Sequence, residues 1–375
     1  MNNRERVMAT LRYQKTDRLP IVHFGFWSET LAKWADEGHI TAEEARGWGD
    51  GNPIDASISK KLGFDFNYYS CFHPISGMWP GFDSRVVKEF PDGSKHILDA
   101  NGVIVLQVPG AGSIPSEIDH LFKGRAEWDK EFKHRFQFDP RRVAEGWARV
   151  NDEMKRFDQG GLEFLKADKR DYPYGLHCGS LFGNIRNFIG VENCAYLQAD
   201  DEELFDEIVN TVGELCHQCV KTALESGAKF DFAHFWEDIC FKNGPLIAPN
   251  TFREKVGPHY KRITSLLKQY NIDIVSLDCD GWIDALLPIW LENGVNTMFP
   301  IEVGTWNASI APWRAKYGNE LRGVGGMNKT VFAFDRSAID AEVERLRPLV
   351  ELGGYIPCPD HRIAPDAKWN LVRYY

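Results

Sequence analysis

Two carboxylates and a thiol stand together at Asp278-Cys279-Asp280, with Gly281 after them. Residues 272–277 before them are apolar in the manner of a buried strand. Residues 282–293 after them carry apolar side chains at helical spacing. The three side chains therefore fall where a strand hands over to a helix, at the carboxyl end of the strand, which is where α/β folds collect ligands and chemistry. A purely structural turn would more often use Gly, Asn and Ser. The same kind of cluster recurs at His177-Cys178, at His234-Phe235-Trp236-Glu237-Asp238 and at Cys358-Pro359-Asp360-His361-Arg362.

A mouth ringed by carboxylates, thiols and imidazoles offers the ligand types of a divalent metal, and Cys with His and no redox motif points to zinc. A catalytic zinc takes three protein ligands and keeps one position open. Glu237, Cys279 or a flanking Asp (Asp278 or Asp280), and His361 supply such a set, with Cys358 as a further candidate. Alternation along a strand lets only one or two of Asp278, Cys279 and Asp280 point inward. Without a metal, Glu237, Asp280 and His361 are the candidate proton donors and acceptors. His23, Trp27, Tyr68, Tyr69, His177, His234, Trp236 and Asn328 fall at or beside the other strand ends and are the candidates for substrate binding. Plainer readings stand beside these. Asp280-Gly281 could be a helix-capping turn, Asp360-His361-Arg362 a surface ion-pair cluster, and Cys178 a core thiol.

The elements that would hold these residues alternate strand and helix. Strands are expected at 19–26, 63–69, 174–178, 229–235, 272–277, 296–301, 321–326 and 353–357, which makes eight, with helices between them. That repetition predicts an α/β fold, a (β/α)8 TIM barrel, in one domain over residues 1–375. A β-hairpin or meander near 85–108 is expected as an insertion, followed by a helix over 140–157 and a long helix over 201–226. An open doubly wound sheet is the rival, but no GxGxxG follows the first strand.

Composition excludes several classes. The formal net charge is −10 with no basic run, which speaks against nucleic acid. No apolar run approaches the ~20 residues of a membrane span, and the charged N-terminus has no signal-peptide core, so a cytoplasmic protein with no membrane partner is expected. The eight cysteines are scattered, unlike a disulfide framework. Cys216 and Cys219 lie inside the expected long helix with no second pair, as free helical thiols would.

Several stretches resemble the uroporphyrinogen decarboxylase-like superfamily. They are Asn3-Arg4-Glu5-Arg6-Val7 through Asp17-Arg18-Leu19-Pro20-Ile21, the run from Glu237 to Pro245 with Pro249 beyond, and Gly353-Gly354-Tyr355-Ile356-Pro357 with Asp360-His361 and Pro365-Asp366. The resemblance implies a (β/α)8 barrel with its site at the carboxyl face. It also implies one of two chemistries: cofactor-free decarboxylation of uroporphyrinogen, or methyl transfer between a small substrate and a corrinoid protein, with zinc in the mouth. True decarboxylases of this kind carry an Arg-rich motif after the first strand; here the stretch reads His23-Phe24-Gly25-Phe26-Trp27. The thiol-methylating branch holds zinc through His-x-Cys and a later Cys; here Asp278-x-Asp280 and His361 or Cys358 stand at those positions. Oxygen ligands make a harder site, suited to an ether or alcohol oxygen. The resemblance therefore implies a corrinoid-dependent methyltransferase of the demethylating kind, with a corrinoid protein as partner and a homodimer as a further expectation. A carboxy-lyase and a non-catalytic corrinoid- or tetrapyrrole-binding module are the alternatives.

Overall fold

The computed structural model describes residues 1–109 and 115–375. Seven parallel strands form its main sheet, in the order Tyr355–Pro359, Arg322–Met327, Thr297–Ile301, Val275–Asp278, Phe232–Trp236, Gly175–His177 and Cys71–Phe72. Parallel strands need crossover connections, and helices such as Glu202–Glu225, Gly257–Gln269 and Arg336–Val350 supply them. Val22–His23 and Phe66–Asn67 form a separate parallel pair. The pair touches both edges of the sheet. Residues 66–67 run into the edge strand Cys71–Phe72 after a short turn, and Phe26 bridges Ile363 in parallel beyond the other edge. The hydrogen-bonded ladder thus runs through seven strands and is not a continuous ring of eight.

Both faces of the sheet are buried, as parallel strands require. The inner face packs Val22, Phe24, Phe66, Tyr68, Phe232, Ile274, Phe299 and Ile356 into one core, while the outer face packs against the helices. Alternation fixes which residues look inward. Along one strand His234 and Trp236 share the inner side of Phe232; along the next, Ser276 and Asp278 share that of Ile274. Ala233, Phe235, Val275, Leu277 and Cys279 belong to the outer core.

The insertion is a four-stranded antiparallel meander, Arg85–Glu89, Lys95–Leu98, Val103–Gln107 and Ser116–His120, whose last strand lies beyond the expected 85–108. The helix expected over 140–157 is instead a short helix, Arg141–Ala144, and a hairpin, Trp147–Val150 with Glu153–Arg156. Gly146 marks the break: a Cβ there would lie 2.9 Å from the His73 carbonyl oxygen and from the Phe72 ring. Helices Pro53–Leu62 and Val191–Asp200 were not expected. The helix expected over 282–293 covers only Leu287–Glu292. Gly281 has φ 89° and a Cβ there would lie 2.4 Å from the Cys240 carbonyl oxygen, so only glycine fits where the chain turns before any helix starts. That turn carries Asp280 into the mouth. No helix among the described residues is long and apolar enough to cross a membrane.

Candidate functional site

The carboxyl ends of the strands bring together two polar walls over an aromatic floor. Phe24, Tyr69 and Phe299 form the floor, with Phe24–Tyr69 ring centres 6.0 Å apart and Tyr69–Phe299 5.7 Å apart.

The first wall is acidic. His361 Nε2 lies 3.2 Å from Asp280 Oδ2, and the imidazole stacks on Trp27 at 5.4 Å with its edge neighbour Phe24 at 5.5 Å. Their side chains are 21% and 35% exposed, so both are open to a ligand while held on one side by protein. No described residue bonds to His361 Nδ1. Asp278 sits beneath them, buried. Burial first, and then the negative charge of Asp280, hold its carboxyl well above the ordinary range, against the pull of Arg362. Burial and Asp280 also raise Glu302, whose Oε2 accepts the Gly281 N–H at 2.5 Å. Asp238 is raised by burial and by Asp280, although Arg186 pairs with it at 3.0 Å. Arg362 closes the wall, paired with Asp50 at 2.6 Å and lying 5.9 Å over the Tyr69 ring. Burial lowers Lys329, which faces this acidic group.

A carboxyl with a raised folded-state pKa binds its proton more tightly when folded. Its contribution to stability is present in acid and is lost as pH rises through the folded value. Asp278→Asn, which keeps the shape of the neutral acid, should therefore melt above wild type by a margin that widens from about pH 5 to about pH 8. Thermal melts of both proteins at the two pH values check this. Equal melting temperatures at the higher pH would show that Asp278 is ionised without cost.

The second wall is made of imidazoles. His73 stacks on His177 at 4.4 Å, and His177 lies 6.1 Å from His234. His73 is exposed, His177 half-buried and His234 fully buried. Tyr69 joins this wall to the floor, 5.2 Å from His234. Tyr68 lies deeper, buried in the inner core. Trp236 is on the inward side of its strand at the rim, half-buried.

Several residues singled out from the sequence lie elsewhere. Glu237 points outward and is fully buried. Its carboxylate accepts the N–H groups of Leu181, Phe182 and Gly183 at 2.8, 2.9 and 2.7 Å, the Ser180 hydroxyl at 3.2 Å and the Tyr260 hydroxyl. It clasps a loop to a helix start and does not face the mouth, because it follows the inward Trp236 by one residue. Cys279 faces outward for the same reason; its Sγ accepts the Ile239 N–H at 3.4 Å. Cys358 is buried in the inner core beside Phe24, Phe299 and Ile356. His23 also points outward. Its Nδ1 accepts the Gly25 N–H at 3.0 Å and its Nε2 meets Ser59 Oγ at 2.7 Å, so both nitrogens are used. The Asn328 Oδ1 caps a short helix by accepting from the Thr330 N–H and hydroxyl.

The set Glu237, Asp278, Cys279, Cys358 and His361 is therefore not gathered. Among the described residues no group of three or more His, Cys, Asp and Glu is arranged to hold a metal. The residues do not fit the expected zinc. Cys279→Ala should leave kcat and KM for the proposed reaction unchanged, since the thiol lies behind the strand; steady-state kinetics checks this, and a large fall in kcat would return the thiol to the site.

The sequence does not mark His73, because the expected second strand ends at Tyr69; a further strand, Cys71–Phe72, follows after a turn and leaves His73 at its end. Asp238 and Glu302 were visible as strand-end residues, but nothing in the sequence showed that they face Asp280.

No protein-family model and no characterised protein sequence matches this chain. Among solved structures, it is similar to a methyltransferase from Methanosarcina mazei, with a TM-score of 0.60 and 15% identity over 100% of this chain and 96% of that one. At that identity the likeness is one of fold: an α/β fold that a methyltransferase also uses.

Proposed function

We propose that the chain is a methyltransferase moving a methyl group between a small methylated substrate, such as a methyl ether, and a corrinoid carried by a partner protein. The observation that carries this reading is the half-open His361–Asp280 pair at the mouth of a fold shared end to end with a methyltransferase. In the same reading the seven-stranded sheet and the two-stranded pair are parts of one (β/α)8 barrel in a single domain, and the Phe26–Ile363 bridge is its seam.

An ether oxygen leaves poorly as an alkoxide, so it must gain a proton as its bond to the methyl carbon breaks. His361 supplies that proton from Nδ1, the atom no described residue occupies. Asp280 holds Nε2 and stabilises the charged ring until the proton leaves. Burial and the neighbouring Asp280 favour the neutral form of Asp278 below, which limits the negative charge competing for His361. Phe24, Tyr69 and Phe299 seat an apolar or aromatic body and exclude water from beneath it. The docked corrinoid supplies the cobalt that takes up the methyl group. Trp282, 42% exposed, with Trp306 6.3 Å from it, gives the rim an aromatic surface suited to such a macrocycle. The product alcohol and the methylated corrinoid then account for every atom, and His361 regains its proton from solvent.

The test is a panel of methyl ethers and methylamines with reduced cobalamin, followed by absorbance. Protein-dependent methylation of the cobalamin by an ether is expected. No conversion with any donor would overturn the reading.

A further inference from the structure

The transfer just described uses the acidic wall and leaves the imidazole wall without a task. Hydrogen bonds fix the tautomers there. The Ser276 hydroxyl has one proton, and it goes to the Ala233 carbonyl at 3.1 Å. Ser276 Oγ, 2.7 Å from His234 Nδ1, must then accept from that nitrogen. In the neutral ring this leaves a bare lone pair on His234 Nε2, which is buried and has no partner among the described residues. His177 is the opposite tautomer. Its Nδ1 accepts the Gly179 N–H at 3.2 Å, so its proton is on Nε2, and no described residue accepts it. Burial pushes the His234 pKa down to about 3 and that of His177 well below the ordinary value, so both rings are neutral in ordinary buffers.

One wall thus presents an unused acceptor and an unused donor on rings 6.1 Å apart. We infer that His177 and His234 form a subsite for a neutral hydroxyl group of the substrate, which accepts from His177 Nε2 and donates to His234 Nε2. A single hydroxyl oxygen does both. A carboxylate has no proton for His234 Nε2 and would face its lone pair. A hydrocarbon edge would leave a buried acceptor unsatisfied. This deepens the reading of the mouth as a substrate site and rests on it. The methyl donor is then a compound with a free hydroxyl placed away from its methylated oxygen.

Calorimetric binding without corrinoid tests this apart from methyl transfer. The probes are the isomeric methoxyphenols, the isomeric methoxybenzoates and methoxybenzene. The best methoxyphenol should bind at least about tenfold more tightly than methoxybenzene and than every methoxybenzoate. His234→Phe, which keeps a flat ring in the core, should bring it down to the affinity of methoxybenzene. His177→Phe, at a half-exposed position, should do the same and serves if the first variant fails to fold. A methoxybenzoate that binds as well as the best methoxyphenol would overturn the inference. So would a methoxyphenol no better than methoxybenzene, or an affinity untouched in the folded variants. A hydroxyl preference without methyl transfer to cobalamin keeps the subsite and removes the methyltransferase. Methyl transfer without that preference does the reverse.

Discussion

His361→Asn should lower kcat for methyl transfer to cobalamin by about 100-fold or more, with KM little changed. A positioned general acid is worth roughly 10²- to 10⁴-fold, and here one ring carries the whole of that task. Asn keeps a polar side chain of moderate size but delivers no proton. The position is partly exposed, so the fold should survive, and a thermal melt separates lost chemistry from lost structure. Asp280→Asn should also lower kcat, by less, because the proton donor remains while the charge that steadies its protonated form is gone. Steady-state kinetics on both variants with the best ether checks this. An equal rate in His361→Asn would remove the histidine from the reaction.

Glu237→Ala should give the largest loss of stability, about 3 kcal/mol or more in denaturant unfolding. The carboxylate serves three backbone N–H groups and two hydroxyls in a fully buried place. Removing it strands those donors, and each orphaned buried donor costs roughly 1–3 kcal/mol. Glu237→Gln should cost less, since its amide oxygen still accepts, although its NH₂ meets donors. Unfolding curves of the three proteins order them wild type, Gln, Ala. An Ala variant as stable as wild type, but inactive, would restore Glu237 to the chemistry.

Much of the fold was legible because it rests on periodicity. The strands came out at nearly their places, with Val275–Asp278 inside the expected 272–277 region but for its last residue. The helix read over 140–157 failed because Arg141-Arg142-Val143-Ala144 starts one, whereas only the close approach of Gly146 to residues 72–73 shows where it must stop. The site was half legible. Asp280, His361, Trp27 and Tyr69 meet as strand-end residues should. Glu237 and Cys279 are marked in the sequence only by the chemistry of their side chains. Alternation from the inward Trp236 and Asp278 already sends both outward, so that signal was present and outweighed by residue type. His73 and the orphaned nitrogen of His234 need three-dimensional contacts, which no spacing reveals.

The most direct measurement is single-turnover methyl transfer from an ether to reduced cobalamin by protein stripped with a strong chelator, wild type beside His361→Asn. Proton-assisted transfer predicts that stripped wild type keeps its rate and that the variant loses it. A stripped wild type that is inactive until zinc is added back would contradict the account, because the mouth would then work through a metal site that its residues do not form as they stand.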